Sequence, residues 1–272
     1  PWVNDTASRV FGADVSKTGL SDLNTTPSGI GMFAVADIIK LAPSLGFLAA
    51  PYGILDHKHV AKVNKDTALL AEMSAPLASF DLEVIGVVYL GHRMMIAEHG
   101  NWGEPPVKPA MIYQKPIAVI NDAANMYGVR DLGAVPVPLL ADQLDKALEF
   151  EAVEFGEQWS MGSWPSRCVS VAMTGHQIEL GLLLVKRDWW RGLSQVDQQG
   201  IRTKTMINIE SITQAVLDQE ADLLADHLAK GCDQIAVDVA AFKNQTRLTI
   251  STSAKPARWL SGVYQAMLAL GG

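Results

Sequence analysis

Several groups of residues in this 272-residue chain have the types and spacing that chemistry needs. His92 and His99 lie seven apart with Glu98 between them. On a helix they share a face, either as half-exposed histidines of an amphipathic helix or with one serving as a general base. Glu149-Phe150-Glu151 is followed by Glu154 and Glu157. On a strand, Glu149 and Glu151 point to the same side and repel unless a cation lies between them. A hard divalent ion such as Mg²⁺ takes that kind of oxygen pair. On a helix the same residues spread into a solvated acidic face. Asp56-His57-Lys58-His59 offers two imidazoles that share a side only on a strand, and a metal there needs a further ligand from elsewhere. Trp189 and Trp190, beside Asp188 and Arg191, read equally as an interface anchor or as a core edge. Cys168 and Cys232 sit in apolar contexts, the usual setting of buried, inert thiols, which suits a reducing compartment.

The elements that must position these groups can be read in outline. Residues 1–30 are polar and read as an irregular arm. Apolar spacing predicts a helix from 31 to Leu41, stopped by Pro43, and a second over 65–78, closed by Pro76. Residues 82–90 (LEVIGVVYL) read as a buried strand, with the His92–His99 stretch after it compatible with a helix. Four prolines within 100–116 predict a long ordered loop. A strand at 117–120, a short helix at 121–128, an extended run at 133–138 and a helix at 139–151 follow. The second half reads as a hairpin (167–174 and 177–186, turning at 173–176), then a helix over 209–230 capped by Ser211. A second hairpin (234–242 and 246–252, turning at Asn244) and a last helix over 256–270 complete it. The fold class is therefore α+β or α/β, a mixed sheet with packed helices in one large globular unit. The chain divides into the arm (1–30), an α/β half (31–160) and a hairpin-helix-hairpin-helix half (167–272).

Composition narrows the function classes. Apolar residues make up 49% of the chain and charged residues 19%, which excludes disorder. No run approaches the ~20 apolar residues of a membrane span. The net charge of −7 argues against a dedicated nucleic-acid binder or an anionic membrane surface. No export leader is visible, so a cytoplasmic location is expected. Walker-type phosphate loops, GxGxxG, GxSxG, HExxH and CxxC are all absent from the sequence.

Read together, some of these pieces resemble the fumarylacetoacetate hydrolase family. Tyr89-Leu90-Gly91-His92 is similar to its YxxH segment after a buried strand. Pro109 through Lys115-Pro116 is similar to its Pro-rich stretch ending in aromatic-x-Lys-Pro. Leu148-Glu149-Phe150-Glu151 resembles its acidic metal pair, and Asp188-Trp189 its third metal carboxylate. The chain departs from the pattern at Val88, where the family has Asn, and at Asn244-Gln245, where it has Asn-Gly. The resemblance implies a metal-dependent hydrolase or lyase that cleaves a C–C bond in a β-dicarbonyl acid. Mg²⁺ or Mn²⁺ would be held by Glu149, Glu151 and Asp188. His92 would activate water with Glu98 tuning its charge, and Lys115 or Lys204 would meet the substrate carboxylate or oxyanion.

Two other classes fit the same sequence. One is a non-catalytic structural or assembly subunit of a homo-oligomer, suggested by low charge, missing catalytic signatures and the polar arm. The other is a small-molecule or partner-binding module that uses the Trp189–Trp190 patch. The expected partners are a small-molecule substrate or a further copy of the chain.

Overall fold

The computed structural model describes residues 29–98, 106–140, 143, 146–147, 155–160 and 168–271. Its frame is a pair of long antiparallel strands, β2 (Leu82–Glu98) and β6 (Val169–Lys186). Among the described residues they belong to a seven-stranded mixed sheet, six of whose strands follow the order β1 (Ile30–Ala34), β6, β2, β5 (Phe155–Trp159), β3 (Pro116–Ile120), β4 (Val135–Leu139), with the seventh beside β6. β1 and β5 run antiparallel to their long neighbours. β3 and β4 pair in parallel, β3 also runs parallel to β5, and the short β7 (Gln234–Ile235) runs parallel to β6. The mixed sheet with packed helices expected from the sequence is present.

The core forms two bodies, one at each end of the β2–β6 pair, and strand alternation gives each body two packed faces. Val84, Val87, Tyr89, Leu180, Leu182 and Leu184 face one way, under α1 (Val35–Leu41), α2 (His57–Lys65), α3 (Thr67–Ser74) and α8 (Ser261–Gly271). Ile85, Val88, Leu183 and Val185 face the other way, against Trp190 of α5 (Arg187–Gly192) and Ile209 of α6 (Gln195–Ala229). Further along the same strands, Met95, Ala97 and Ala172 pack with residues of α4 (Ala123–Asp131) and with Phe242 of α7 (Val239–Ser251). Met94, Ile96, Val169 and Val171 fill the opposite face there. Period-2 alternation on strands buried on both faces accounts for all four sets.

The strands are least regular between the bodies. The β2–β6 register shifts between Val84 and Gly86, Tyr89 and His92, and Arg93 and Met95. Gly91 (φ 103°) and Gly175 (φ 48°) supply the left-handed backbone there, a conformation that a side chain resists.

Several local expectations need correction. The His92–Glu98 stretch is strand, because β2 continues through it beside β6. Residues 173–176 make no hairpin turn: Gly175 bends β6 without reversing it. The second hairpin is α7, where Phe242, Thr246 and Ile250, four apart, bury one helical face. The 209–230 helix starts earlier, capped by Ser194, whose side chain accepts from Asp197 N–H. The last helix begins at Ser261 and not at Pro256.

The cysteines are not free thiols. Cys168 and Cys232 form a disulfide with Cα atoms 5.4 Å apart, tying the start of β6 to the loop before β7. Such bonds persist in oxidising compartments, so the reducing-compartment expectation is overturned.

Candidate functional site at the junction of the two bodies

The irregular middle of β2 places Tyr89, His92 and Arg93 between the two bodies. A charged residue in so apolar a strand must find partners. Arg93, 4% exposed, is gripped from two sides. Its Nη1 lies 3.1 Å from Glu157 Oε2 on β5, and its Nη2 lies 2.7 Å from Glu179 Oε2 on β6. The other oxygen of Glu157 lies 3.0 Å from His176 Nε2, and His176 Nδ1 meets Thr174 Oγ1 at 2.9 Å. Burial alone would raise the Glu157 carboxyl; Arg93 and His176 outweigh it and hold it below its ordinary value. Burial disfavours the Arg93 cation, but Glu179 and Glu157 raise its pKa above the ordinary value.

A second cluster adjoins the first. Glu220, on the long helix α6, reaches β2 and lies 2.6 Å from His92 Nδ1. It also accepts from His92 N–H at 3.0 Å, from Tyr89 O–H at 2.8 Å and from Ser160 O–H. Burial would raise Glu220, but the His92 hydrogen bond, with Ser160 and Tyr89, leaves it lowered. Burial, with the Glu220 charge, pushes the Tyr89 phenol up. Ser160 and His92 share one carboxylate and do not form a nucleophile–base pair, which would need the imidazole on the hydroxyl.

The loop before α2 closes the junction from the first body. Tyr52 N–H donates to His176 O at 2.7 Å and Tyr52 O–H donates to Thr174 O at 2.9 Å. Tyr52 holds φ 56°, a conformation that costs a non-glycine residue about 1–3 kcal/mol and collects at functional sites.

The structure scatters the expected catalytic set. His92 is at the junction. Glu98 ends β2, where it pairs with Val169. Lys115 precedes β3 with Nζ 5.1 Å from the centre of the Phe155 ring. Lys204 is exposed on α6, sixteen residues from Glu220, about 24 Å along the helix axis. Asp188 lies in the first turn of α5, where its N–H donates to Asp81. It lies beyond the end of β6, eight strand residues past Ile178, which pairs with His92, or about 26 Å. Glu149 and Glu151 fall outside the described residues. Among the described residues no group of three His, Cys, Asp or Glu side chains could hold a metal ion. His59 is buried against the last helix, with Nε2 2.8 Å from Met267 O. Trp190, 1% exposed, belongs to the core edge. Sequence reasoning missed Arg93, Glu157 as its partner, Glu179 and Glu220. The signal that marks Arg93 and Glu179 is a charge inside a run that otherwise reads as buried strand.

Comparison with known proteins bears on what this junction does. The family model described as bacterial extracellular solute-binding protein, family 7 (DctP) matches residues 15–254. Solved structures with the same fold include a TRAP periplasmic solute-binding protein from Roseobacter denitrificans with bound 3-deoxy-D-manno-oct-2-ulosonic acid. It is 20% identical, with TM-score 0.74 over 94% of this chain and 86% of that one. The ectoine-binding protein TeaA of the TeaABC TRAP transporter is 17% identical, with TM-score 0.76 over 96% and 85%. A TRAP solute-binding protein from Polaromonas sp. JS666 bound to D-erythronate is 18% identical, with TM-score 0.68 over 93% and 82%. No curated protein sequence matches the chain. These findings overturn the resemblance to fumarylacetoacetate hydrolases and, with it, the metal-dependent C–C hydrolase or lyase. They equally overturn the assembly subunit, and an extracellular family replaces the expected cytoplasmic location. The shared motifs were short patches, and short patches recur by chance between unrelated folds.

Proposed function

Because the chain belongs to family 7 of the bacterial extracellular solute-binding proteins, we propose that it captures a small polar organic solute at the junction of its two bodies. It then delivers that solute to the membrane components of a TRAP transporter. The observation that carries this reading is the polar set gathered between two apolar bodies: Tyr89, Arg93 and Ser160, buried, with His92, Glu179 and Glu220, half-buried. Hydrogen-bonding groups gathered where two bodies meet are the usual architecture of a small-molecule site. Solved structures of the same fold hold hydroxylated acids, and one of them is an ectoine-binding protein, so a solute of that size is expected. The long strands and α6 run through both bodies, so bending at the bulged segment would close one body on the other. Among the described residues no helix is long and apolar enough to cross a membrane.

The test is a thermal melt with each of D-erythronate, D-glucuronate, 3-deoxy-D-manno-oct-2-ulosonic acid and ectoine. A solute at 100 times its dissociation constant adds about 2.7 kcal/mol of stability. A His92→Ala variant should lose that gain. A panel that leaves the melt unmoved at millimolar concentration, or a gain that survives in the variant, would refute the assignment of the junction as the site.

A further inference from the structure

Tyr52 belongs to both bodies at once. Its chain neighbours Ala50 and Ile54 lie in the core of the first body. Its own side chain, 5% exposed, packs in the core of the second with Met95, Ala97 and Phe242. What it grips is an irregular piece of β6. Between the partners of Arg93 and Met95, β2 carries Met94 alone, while β6 carries Met173, Thr174, Gly175 and His176. These β6 residues form a loop within the strand, outside the β2 register. Tyr52 bonds the loop on both sides of Gly175, through its N–H to His176 O and its O–H to Thr174 O. Two left-handed residues meet here, Tyr52 at φ 56° and Gly175 at φ 48°. A left-handed tyrosine persists only where its surroundings over-determine it.

The same loop supports the polar set. Thr174 Oγ1 meets His176 Nδ1, His176 Nε2 meets Glu157 Oε1, and the other Glu157 oxygen meets Arg93 Nη1. None of these four residues is more than 4% exposed. The chain of bonds holds whether the imidazole is neutral or charged. In either form Nε2–H donates to the carboxylate, and the Thr174 hydroxyl can donate to Nδ1 or accept from it.

We infer that Tyr52 is a positioning residue for solute capture. It pins the 173–176 loop where the two bodies pivot and so holds Arg93, through His176 and Glu157, in the arrangement that receives the solute. This rests on the solute-binding role proposed above and adds a residue that acts without touching the solute. Once the pin is lost, the loop samples other backbone arrangements and Arg93 spends less of its time in the competent one. The apparent dissociation constant then rises as the reciprocal of the competent fraction. A tyrosine with a structural role alone would lower the melting temperature and leave the affinity of the folded molecules unchanged.

The experiment is calorimetric titration of the full chain with the panel solutes, at a temperature where every variant is folded. Tyr52→Phe keeps the ring in the second core and removes only the donor to Thr174 O. It should raise the dissociation constant about tenfold, a competent fraction cut to about a tenth. Gly175→Ala perturbs the loop independently. Its added Cβ meets nothing within 4 Å, but φ 48° suits glycine. It should weaken binding in the same direction. Leu77→Ala, in the first-body core just before β2 begins, should lower the melting temperature and leave the dissociation constant unchanged. An unchanged dissociation constant in either loop variant would overturn the inference and leave solute capture standing. So would an equal loss of affinity in Leu77→Ala. Should Tyr52→Phe not fold, Gly175→Ala set against Leu77→Ala decides the matter. If the unmodified chain binds no panel solute, solute capture itself fails and this inference with it.

Discussion

Reducing the Cys168–Cys232 bond should destabilise the protein by an amount set by the loop it closes. The cysteines are 64 residues apart in sequence. Chain-entropy arithmetic gives a loop of that length about 4 kcal/mol at 25 °C. Between the two cysteines lie β6, α5 and α6, including Glu179 and Glu220, so the crosslink restrains the unfolded form of much of the site. At roughly 2.1 cal/mol/K per residue, a chain of this size unfolds with an entropy near 0.57 kcal/mol/K. The melting temperature should therefore fall by about 7 °C on reduction. Scanning calorimetry with and without a phosphine reductant measures this, and the Cys168→Ala/Cys232→Ala double variant should match the reduced protein. A melt unchanged within about a degree, with thiols shown to be fully reduced, would refute the loop-closure reasoning.

Other outcomes follow from the buried polar groups. Arg93→Met strands Glu157 inside the protein, so urea denaturation should show a loss of about 3–5 kcal/mol. At Gly128, an added Cβ would sit 2.3 Å from Gln177 Oε1; Gly128→Ala should cost about 1–3 kcal/mol in the same assay. Burial holds His59 and His227 below the ordinary histidine value. The unfolded chain therefore takes up those protons first, and their contribution, complete above pH 6.5, is lost as pH falls below it. Glu157 and Glu220 are lowered, so their contribution is present above pH 4.5 and disappears as pH falls through their folded values. Melting temperature followed from pH 8 to pH 3 should thus decline in two stages, and a flat profile between pH 7 and pH 5 would contradict the histidine part.

How much of this was legible in the sequence differs from element to element. Local pattern found the starts of β2 and β3, the short helix α4 and the body of α6, the first as a β-branched run and the last by its Lys230-Gly231 end. It failed where two periods compete. Residues 239–251 are rich in β-branched and apolar types, but only the four-residue spacing of Phe242, Thr246 and Ile250 places their buried face. Gly175 carries a turn signal, yet pairing along both flanks with β2 keeps the strand running. His92 was singled out and does lie at the junction, although on a strand and beside Glu220, which is 128 residues away in sequence. Glu220, Glu179 and Arg93 come together only through long-range pairing, which no local pattern encodes. The disulfide was invisible for the same reason: two apolar contexts say nothing about a Cα separation of 5.4 Å.

The most direct test of solute capture at the junction is hydrogen exchange with and without the panel solute that raises the melting temperature most. Protection should concentrate on residues 89–93, 157–160 and 176–179 and on the turn of α6 around Glu220. Protection confined to the groove between α2 and α6, lined by Ala61, Lys65, Arg202 and Glu210, or absent altogether, would contradict the placement of the site.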